Sequence, residues 1–237
     1  MHFFIFILLI CFFIFLFSLY LLVRDDFVLI RKDMTTERVF NIAFIIFVAS
    51  IFCARVLYAI LNWNGKFLNP LIFILFPYYP GLSMVGGVVG GVMFLLLLSK
   101  FRKIPIARLL DFFSISFLSA YPFGLLGYFL LSKVNILAFK PITLFLVHIL
   151  IFIIFLKIFL PRLLNGTFKD GTIGLLFLIS FSVISLVENF VGGGGGKVYF
   201  SFEDLILLVM FVVSIVFVFR QERILSRIKK LKKIKRL

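Results

Sequence analysis

The stretch GLSMVGGVVGGVMFLLLL, Gly81–Leu98, is apolar enough to lie in a membrane, yet its first eleven residues contain five glycines. Glycine in a helix interior costs about 1 kcal/mol relative to alanine. Gly86 and Gly90 are four residues apart, as are Gly87 and Gly91, which is the spacing that lets two helix backbones approach closely. The pattern leaves two interpretations open. The glycines form a tight helix crossing, or their missing side chains open a crevice that admits a lipid or a peptide.

The composition of the whole chain indicates a protein whose main solvent is lipid. Of the 237 residues, 63% are hydrophobic and 36 are phenylalanine, and the mean hydropathy is +1.23. A water-soluble domain lacks the polar residues to cover so much apolar surface. Both cysteines, Cys11 and Cys53, lie inside apolar runs, which indicates no disulfide framework and no metal-ligand spacing. Nothing in the sequence indicates a cofactor.

Seven stretches reach the roughly 20 apolar residues that a membrane-spanning helix needs. They are residues 3–23, 39–62, 81–98, 108–131, 137–160, 172–191 and 202–220. The first lacks a basic start and a small-residue cleavage site, so it is interpreted as an uncleaved helix. The sequence therefore predicts an all-α membrane protein with seven transmembrane helices in one membrane domain, residues 1–220.

The charges predict the orientation of these helices. Of the 25 basic residues, all but Arg55, Lys66, Lys133, Lys140 and Lys197 lie in segments that seven spans place on one side. The positive-inside rule puts that side in the cytoplasm, with the N-terminus outside and the C-terminus inside. Residues 221–237 repeat apolar residues every three or four positions among lysines and arginines, which predicts a basic amphipathic helix on the inner leaflet. The net charge of +15 is thus explained by basic residues that lie at the anionic surface of the inner leaflet, and it does not indicate binding of nucleic acid.

Several motifs, in order along residues 40–205, resemble the prolipoprotein diacylglyceryl transferase family. The segment GLSMVGGVVG is similar to that family's G-x-S-x-H-G-G-x-x-G, and LLDFFSISFLSAYPFGLLGYF is similar to its L-x-D…G-R-x-G-N-F. Upstream, ARVLYAILNW and NPLIFI resemble A-R-x-x-Y…N-P-L; downstream, KPITLF resembles H-P-T-Q-L-Y. The matching positions are Ala54, Arg55, Tyr58, Asn69, Pro70, Gly81, Ser83, Gly86, Gly87, Gly90, Asp111, Gly124, Gly127, Phe129, Pro141 and Leu144.

The sequence departs from the family at most of its polar positions. Val85 stands where the family has histidine, and Leu125 stands where it has the arginine of the fourth span. Tyr128 replaces an asparagine, Thr143 a glutamine and Lys140 a second histidine. The scaffold glycines are kept, whereas much of the family's polar chemistry is changed.

The resemblance implies a function in the inner membrane of bacteria. The family transfers diacylglyceryl from phosphatidylglycerol to the lipobox cysteine of a prolipoprotein, so that lipid and the precursor's signal peptide are the implied partners. This reaction needs cations for the phosphate, a base for the thiol and a lateral opening for two acyl chains. Two alternatives stay open: an inactive relative that binds phospholipid or lipoprotein precursor, and a small-solute transporter.

Arg55 is the main candidate for contact with a lipid headgroup. A charged residue at mid-helix costs about 2.5–3.5 kcal/mol, so it needs a partner or a polar pocket. Glu188, at comparable depth in the sixth span, is the candidate partner in an ion pair that would join two helices. Ser83 at the start of the third span and Lys140 at the start of the fifth are further headgroup candidates, and Ser83 would equally serve as a helix cap.

The remaining polar residues are interpreted mainly as structural. Tyr128 and Glu188 are weak catalytic candidates, and His148 is expected to form a helix–helix hydrogen bond. Asp111 is expected to be a charge at a helix start. The glycines at positions 81, 86, 87, 90, 124 and 127 are assigned to packing or to the crevice. Ser201–Asp204, SFED, fits a capping box with no further role.

Overall fold

The computed structural model describes residues 2–63, 81–102, 104–131, 139–192 and 201–222, and every regular element in these ranges is helical. In chain order they are α1 (His2–Val23), α2 (Phe27–Ile30), α3 (Thr36–Leu61), α4 (Met84–Arg102), α5 (Ile106–Leu131), α6 (Phe139–Ile154), α7 (Leu160–Leu164), α8 (Thr172–Gly192) and α9 (Phe202–Gln221). A π-helical turn, Phe155–Phe159, connects α6 to α7. The all-α class is thus confirmed for the described residues.

Six helices of the described residues are long and apolar enough to cross a membrane. They comprise α1, α3, α5, α8 and α9, together with the continuous run from α6 to α7. The apolar part of α4, Met84–Lys100, is shorter than these six. The seven-span count therefore stays a prediction that depends on α4.

The helices pack as antiparallel pairs around α5. The most extensive contacts join α3 to α4, α1 to α5, and α8 to α9. In α5, 61% of the apolar window is buried, against 11–33% in the other five spans, which places it at the centre of the bundle. Leu109, Phe112 and Ile115 on α5 are fully buried and form part of the main apolar core.

Hydrogen bonds between distant segments define two ends of the bundle. At one end α3 finishes while α4 and α9 begin, and Ser83 bonds Glu203 there. We call this the cavity end. At the other end α5 and α8 begin and α9 finishes, and Arg108 bonds both Asp26 and Asp170. We call this the closed end.

The run from α6 to α7 changes its hydrogen-bond pattern in front of a proline. Leu160 N–H bonds the carbonyl of Phe155, five residues back, instead of the usual four. Pro161 follows directly, and its ring cannot be accommodated by an ideal α-helix because it clashes with the carbonyl four residues earlier. The wider π turn avoids that clash and lets the apolar run continue.

Two predictions lie outside the described residues. They concern the basic tail beyond residue 222 and the motif residues Asn69 and Pro70. The domain boundary at residue 220 consequently stays a prediction as well.

Candidate functional site

A cavity of about 670 Å³ lies at the cavity end, between the last turn of α3 and the first turns of α4 and α9. Its polar lining residues are Tyr58, Asn62, Ser83, Ser201 and Glu203. Its apolar lining residues are Ile60, Leu61, Leu82, Met84 and Phe202. Ile60 and Phe202 are more than half exposed. We call the polar lining residues the polar wall and the apolar lining residues the apolar rim. A lipid headgroup with acyl chains attached has the same combination of polar and apolar parts.

Arg55 lies one turn before Tyr58 on α3, and its side chain is almost completely buried at 2% exposure. Its Nη1 donates a hydrogen bond of 2.8 Å to the carbonyl oxygen of Gly81, in the segment that leads into α4. Its guanidinium carbon is 5.8 Å from the centre of the Tyr58 ring. The guanidinium is therefore fixed beside residues that line the cavity, with both Tyr58 and Gly81 in contact.

Ser83 is the N-cap of α4 and also joins α4 to α9. Its Oγ accepts a hydrogen bond of 3.1 Å from the backbone N–H of Gly86, three residues on, as an N-cap does. The same hydroxyl donates to Oε1 of Glu203 at 2.6 Å. The cap interpretation is confirmed, and the proton of this hydroxyl is directed to Glu203 rather than towards a phosphate. A headgroup contact by Ser83 would require the hydroxyl to change its partner.

The start of α9 is stabilised by hydrogen bonds among Ser201, Asp204 and Asn189, and Glu203 takes no part in them. Asp204 and Ser201 form the predicted capping box, with Ser201 N donating to Asp204 Oδ2 at 2.8 Å and Asp204 N donating back to Ser201 Oγ. Asn189 of α8 donates to the other oxygen, Oδ1, of Asp204 at 2.8 Å. Asp204 is therefore buried and fully engaged, whereas Glu203, one residue earlier, faces the cavity.

The glycines of α4 face α3 and do not form a crevice. A Cβ on Gly86 would lie 2.8 Å from the Cβ of Leu57 and 2.9 Å from the carbonyl oxygen of Cys53. A Cβ on Gly90 would overlap the side chain of Cys53, and one on Gly81 would overlap the ring of Tyr58. The crevice interpretation is corrected here: bare backbone is what lets α3 and α4 touch, and the cavity lies at the end of α4 instead.

Gly124 and Gly127 both face α1 from α5, but only Gly127 requires a bare backbone. A Cβ on Gly127 would overlap Ile7, and one on Gly124 would sit 3.7 Å from the sulfur of Cys11. The contact at Gly127 is tight and that at Gly124 is ordinary, so the close approach of the two helices depends mainly on Gly127.

Two positions at which the resemblance implies a polar side chain are apolar in this chain. Val85 is buried in the main core and Leu125 is half-buried on α5. Tyr128, a weak catalytic candidate, is 62% exposed and is not among the described lining residues. The side chain of Lys140 lies outside the described part of the chain.

The two interior candidates, Glu188 and His148, have different outcomes. The pairing of Glu188 with Arg55 stays a prediction. Each of these two residues has an interaction with another group, so neither is without a partner. His148 is buried, shares a 2.8 Å hydrogen bond with the carbonyl of Leu144 on its own helix, and lies 4.5 Å from the Tyr121 ring, centre to centre. The expected helix–helix hydrogen bond is corrected here, because the described hydrogen bond of His148 lies within α6. The structural interpretation of this residue stays a prediction.

The closed end is held by a buried network of charged groups. Asp111 accepts hydrogen bonds from the backbone N–H groups of Gly171 and Gly174, at 2.6 and 2.8 Å, and so caps the start of α8. Sequence reasoning assigned Asp111 to the start of its own helix; the structure corrects this, because the carboxylate neutralises the first turn of a neighbouring helix. Arg108 bonds Asp26 at 3.0 Å and Asp170 at 3.1 Å.

Sequence reasoning missed Glu203 as a site residue. The SFED pattern explained it as part of a helix start, and its contact with Ser83 joins residues 120 positions apart. One signal in the sequence could have indicated Glu203. It is a carboxylate in the first turn of a predicted membrane helix, and the capping box uses Asp204 instead of it. Among the described residues, no group of three or more His, Cys, Asp or Glu side chains could hold a metal ion.

Comparison with known proteins gives a consistent result. The sequence profile of a family described as prolipoprotein diacylglyceryl transferase matches residues 1–220. A curated relative, the phosphatidylglycerol–prolipoprotein diacylglyceryl transferase of Clostridium novyi (strain NT), is 36% identical over 86 residues. The aligned part covers 36% of this chain and 33% of the relative. No solved structure matches the chain.

Proposed function

The chain belongs to the prolipoprotein diacylglyceryl transferase family, and from this premise we propose that it transfers diacylglyceryl from phosphatidylglycerol to the lipobox cysteine of prolipoproteins. The family consists of multi-pass inner-membrane proteins, in agreement with the six long apolar helices. The observation that carries the proposal is the cavity at the ends of α3, α4 and α9, where a polar wall meets an apolar rim and Arg55 is buried directly behind.

The proposed reaction takes place at the outer leaflet. Seven crossings with the N-terminus outside would put the cavity end outside and the closed end in the cytoplasm. The course of α4 supports the seventh crossing, because Gly86 lies against Leu57 near the end of α3 while Gly91 lies near Ser50 and Ile46, further back along the same helix. The helix has 19 residues, or roughly 28 Å at 1.5 Å per residue, close to the thickness of the hydrocarbon layer.

Arg55 is proposed to hold the phosphate of the lipid and to stabilise the departing glycerol phosphate. A guanidinium has five N–H donors in a planar fork, so it can bond the Gly81 carbonyl and a phosphate oxygen together. Burial strengthens such a bond, since the local dielectric constant is low. Tyr58, which contacts Arg55 and lines the cavity, would present its phenol to the same headgroup.

A second function is supported by the changes at Val85 and Leu125. These positions supply an imidazole and a guanidinium in the family, and here they are apolar. A cavity that keeps the shape but not these groups would bind phosphatidylglycerol or a lipoprotein precursor without transfer. The two proposals differ in one measurement, because only the first forms a thioether on the precursor.

The test combines complementation with a direct assay. A strain depleted of its own transferase would receive the wild-type chain, Arg55→Ala or Arg55→Lys, and lipidation of a reporter precursor would be followed by its change in mobility. The purified full chain would then be given phosphatidylglycerol vesicles and a lipobox peptide. We expect thioether product with the wild type and a loss of at least about 100-fold with Arg55→Ala, the scale of losing one charge-stabilising donor.

Arg24→Ala is the matched control, because it removes an exposed arginine whose only described ion pair is a long one with Asp25. It should leave transfer unchanged. Phosphatidylglycerol that binds to the wild type without any thioether product would favour the binding function. A wild type that inserts correctly but neither binds nor transfers lipid would refute both proposals.

A further inference from the structure

We propose that Glu203 accepts the proton of the precursor's cysteine thiol. This inference rests on the proposed transfer and adds to it the base that the reaction requires. A thiol reacts as its thiolate, so some group beside the cavity has to take its proton. Glu203 is the carboxylate among the described lining residues, and it lies on the polar wall beside Ser83.

Glu203 is oriented by a chain of hydrogen bonds that begins in the backbone of α4. The N–H of Gly86 donates to Ser83 Oγ at 3.1 Å, and the Ser83 hydroxyl donates to Oε1 of Glu203 at 2.6 Å. Among the described residues no group bonds Oε2, so this oxygen is available on the cavity side. One oxygen is thus fixed by the protein while the other can receive a proton from a ligand.

The other polar groups of the described wall are less suited to this role. Asp204 is buried, and both of its oxygens accept bonds, from Asn189 and from Ser201. The Ser83 hydroxyl donates its hydrogen bond to Glu203. Tyr58 is a phenol, which donates a hydrogen bond, and Asn62 is a neutral amide, so neither is suited to take a proton from a thiol. Val85, where the family has histidine, has no atom that accepts a proton.

The step balances without another reactant. Oε2 of Glu203 takes the proton as the S–H bond breaks. The thiolate then attacks the carbon of the diacylglyceryl group that is bonded to the phosphate oxygen. A C–S bond forms while the C–O bond to phosphate breaks, and the electron pair leaves with glycerol phosphate. The proton then passes from Glu203 to the leaving phosphate or to water, which restores the carboxylate.

Two substitutions separate this role from a simple clamp between α4 and α9. In Glu203→Gln the amide oxygen still accepts the hydrogen bond from Ser83, but the side chain no longer takes a proton. In Ser83→Ala the carboxylate stays while the clamp is lost. Transfer would be measured with the full-length chain in phosphatidylglycerol vesicles and a saturating lipobox peptide. We expect Glu203→Gln to lower the turnover rate about 100-fold, within the range for a general base, with the unfolding midpoint unchanged.

A peptide with selenocysteine at the lipobox position provides the decisive comparison, because a selenol is already ionised at neutral pH and needs no base. Glu203→Gln should therefore be severely impaired with the cysteine peptide and close to wild type with the selenocysteine peptide. Glu37→Gln, which removes an exposed carboxylate in the first turn of α3 at the closed end, is the matched control and should be unaffected with both peptides.

The outcomes are distinct. If Glu203→Gln transfers as well as the wild type, or is equally impaired with both peptides, Glu203 is not the base, and the proposed transferase function stands without it. If Ser83→Ala is the more damaging variant, the pair acts as a clamp and the inference is wrong. If the wild type transfers nothing to either peptide, the transferase proposal itself fails and this inference fails with it.

Discussion

Replacing Gly90 by alanine should destabilise the protein, although alanine is the better helix former. Two effects oppose each other at this position. Alanine gains up to about 1 kcal/mol in helix propensity. Its Cβ would overlap Cys53, and the Cβ of that residue is fixed to the backbone of α3, so the two helices have to separate. Overpacking of this kind costs about 1–3 kcal/mol.

Gly87→Ala is the matched control for this effect. It makes the same chemical change on the same helix, one turn earlier, but its Cβ would lie 3.7 Å from that of Ala54, which is an ordinary contact. The gain in propensity is shared, so the difference in unfolding free energy between the two variants measures the packing cost alone. We expect Gly90→Ala to be less stable than Gly87→Ala by about 1–3 kcal/mol.

The assay is unfolding of the purified chain by sodium dodecyl sulfate in mixed micelles, followed by far-UV circular dichroism and by fluorescence of Trp63, the single tryptophan. The double variant Cys53→Gly with Gly90→Ala should recover part of the loss, since the opposing Cβ is gone. If the two alanine variants agree within about 0.5 kcal/mol, the usual margin for independent sites, the glycine crossing does not hold α3 and α4 together as the structure indicates.

Two further predictions concern the closed end and the orientation of the chain. Asp111→Asn leaves one acceptor oxygen for the two buried N–H donors at the start of α8, so it should lower the unfolding free energy by about 1–3 kcal/mol. Asp25→Asn changes an exposed carboxylate in the same way and should have little effect in the same assay. Equal stability of the two variants would contradict the capping role of Asp111. A membrane-impermeant thiol reagent should label Asn62→Cys in intact cells and Lys32→Cys only after permeabilisation, and the opposite pattern would reverse the proposed topology.

The helices were largely predictable from the sequence, because each long apolar run has to satisfy its own backbone hydrogen bonds in lipid. Predicted and observed boundaries differ by a few residues, and the differences follow local chemistry. The predicted start of α3 is residue 39, whereas the helix begins at Thr36. The difference arises because Thr35 caps the helix: its side chain accepts a hydrogen bond from the backbone N–H of Arg38. The run through α6 and α7 extends past residue 160 because a π turn accommodates Pro161.

The site was predictable only in part. Arg55 was identified because a buried charge in lipid is costly and requires a reason. Glu203 and the true partners of Asp111 were not identified, because their contacts join segments 120 and 60 residues apart, and no local pattern encodes such pairs. The glycine spacing was correctly recognised, but spacing alone does not distinguish contact with a neighbouring helix from an open groove.

The buried charges at the end opposite the cavity bear on the route by which a product would leave the protein. Arg108 ties the connection after α1 to the segment before α8, and Glu222 accepts bonds from Lys169 and Thr172 at the same place. These bonds join the segments at this end in the conformation described. If the proposed transfer takes place at the cavity, glycerol phosphate would leave on the side where the lipid arrived, and these bonds could stay intact through every turnover. A carrier would have to break them in part of its cycle, because its site reaches both compartments in turn.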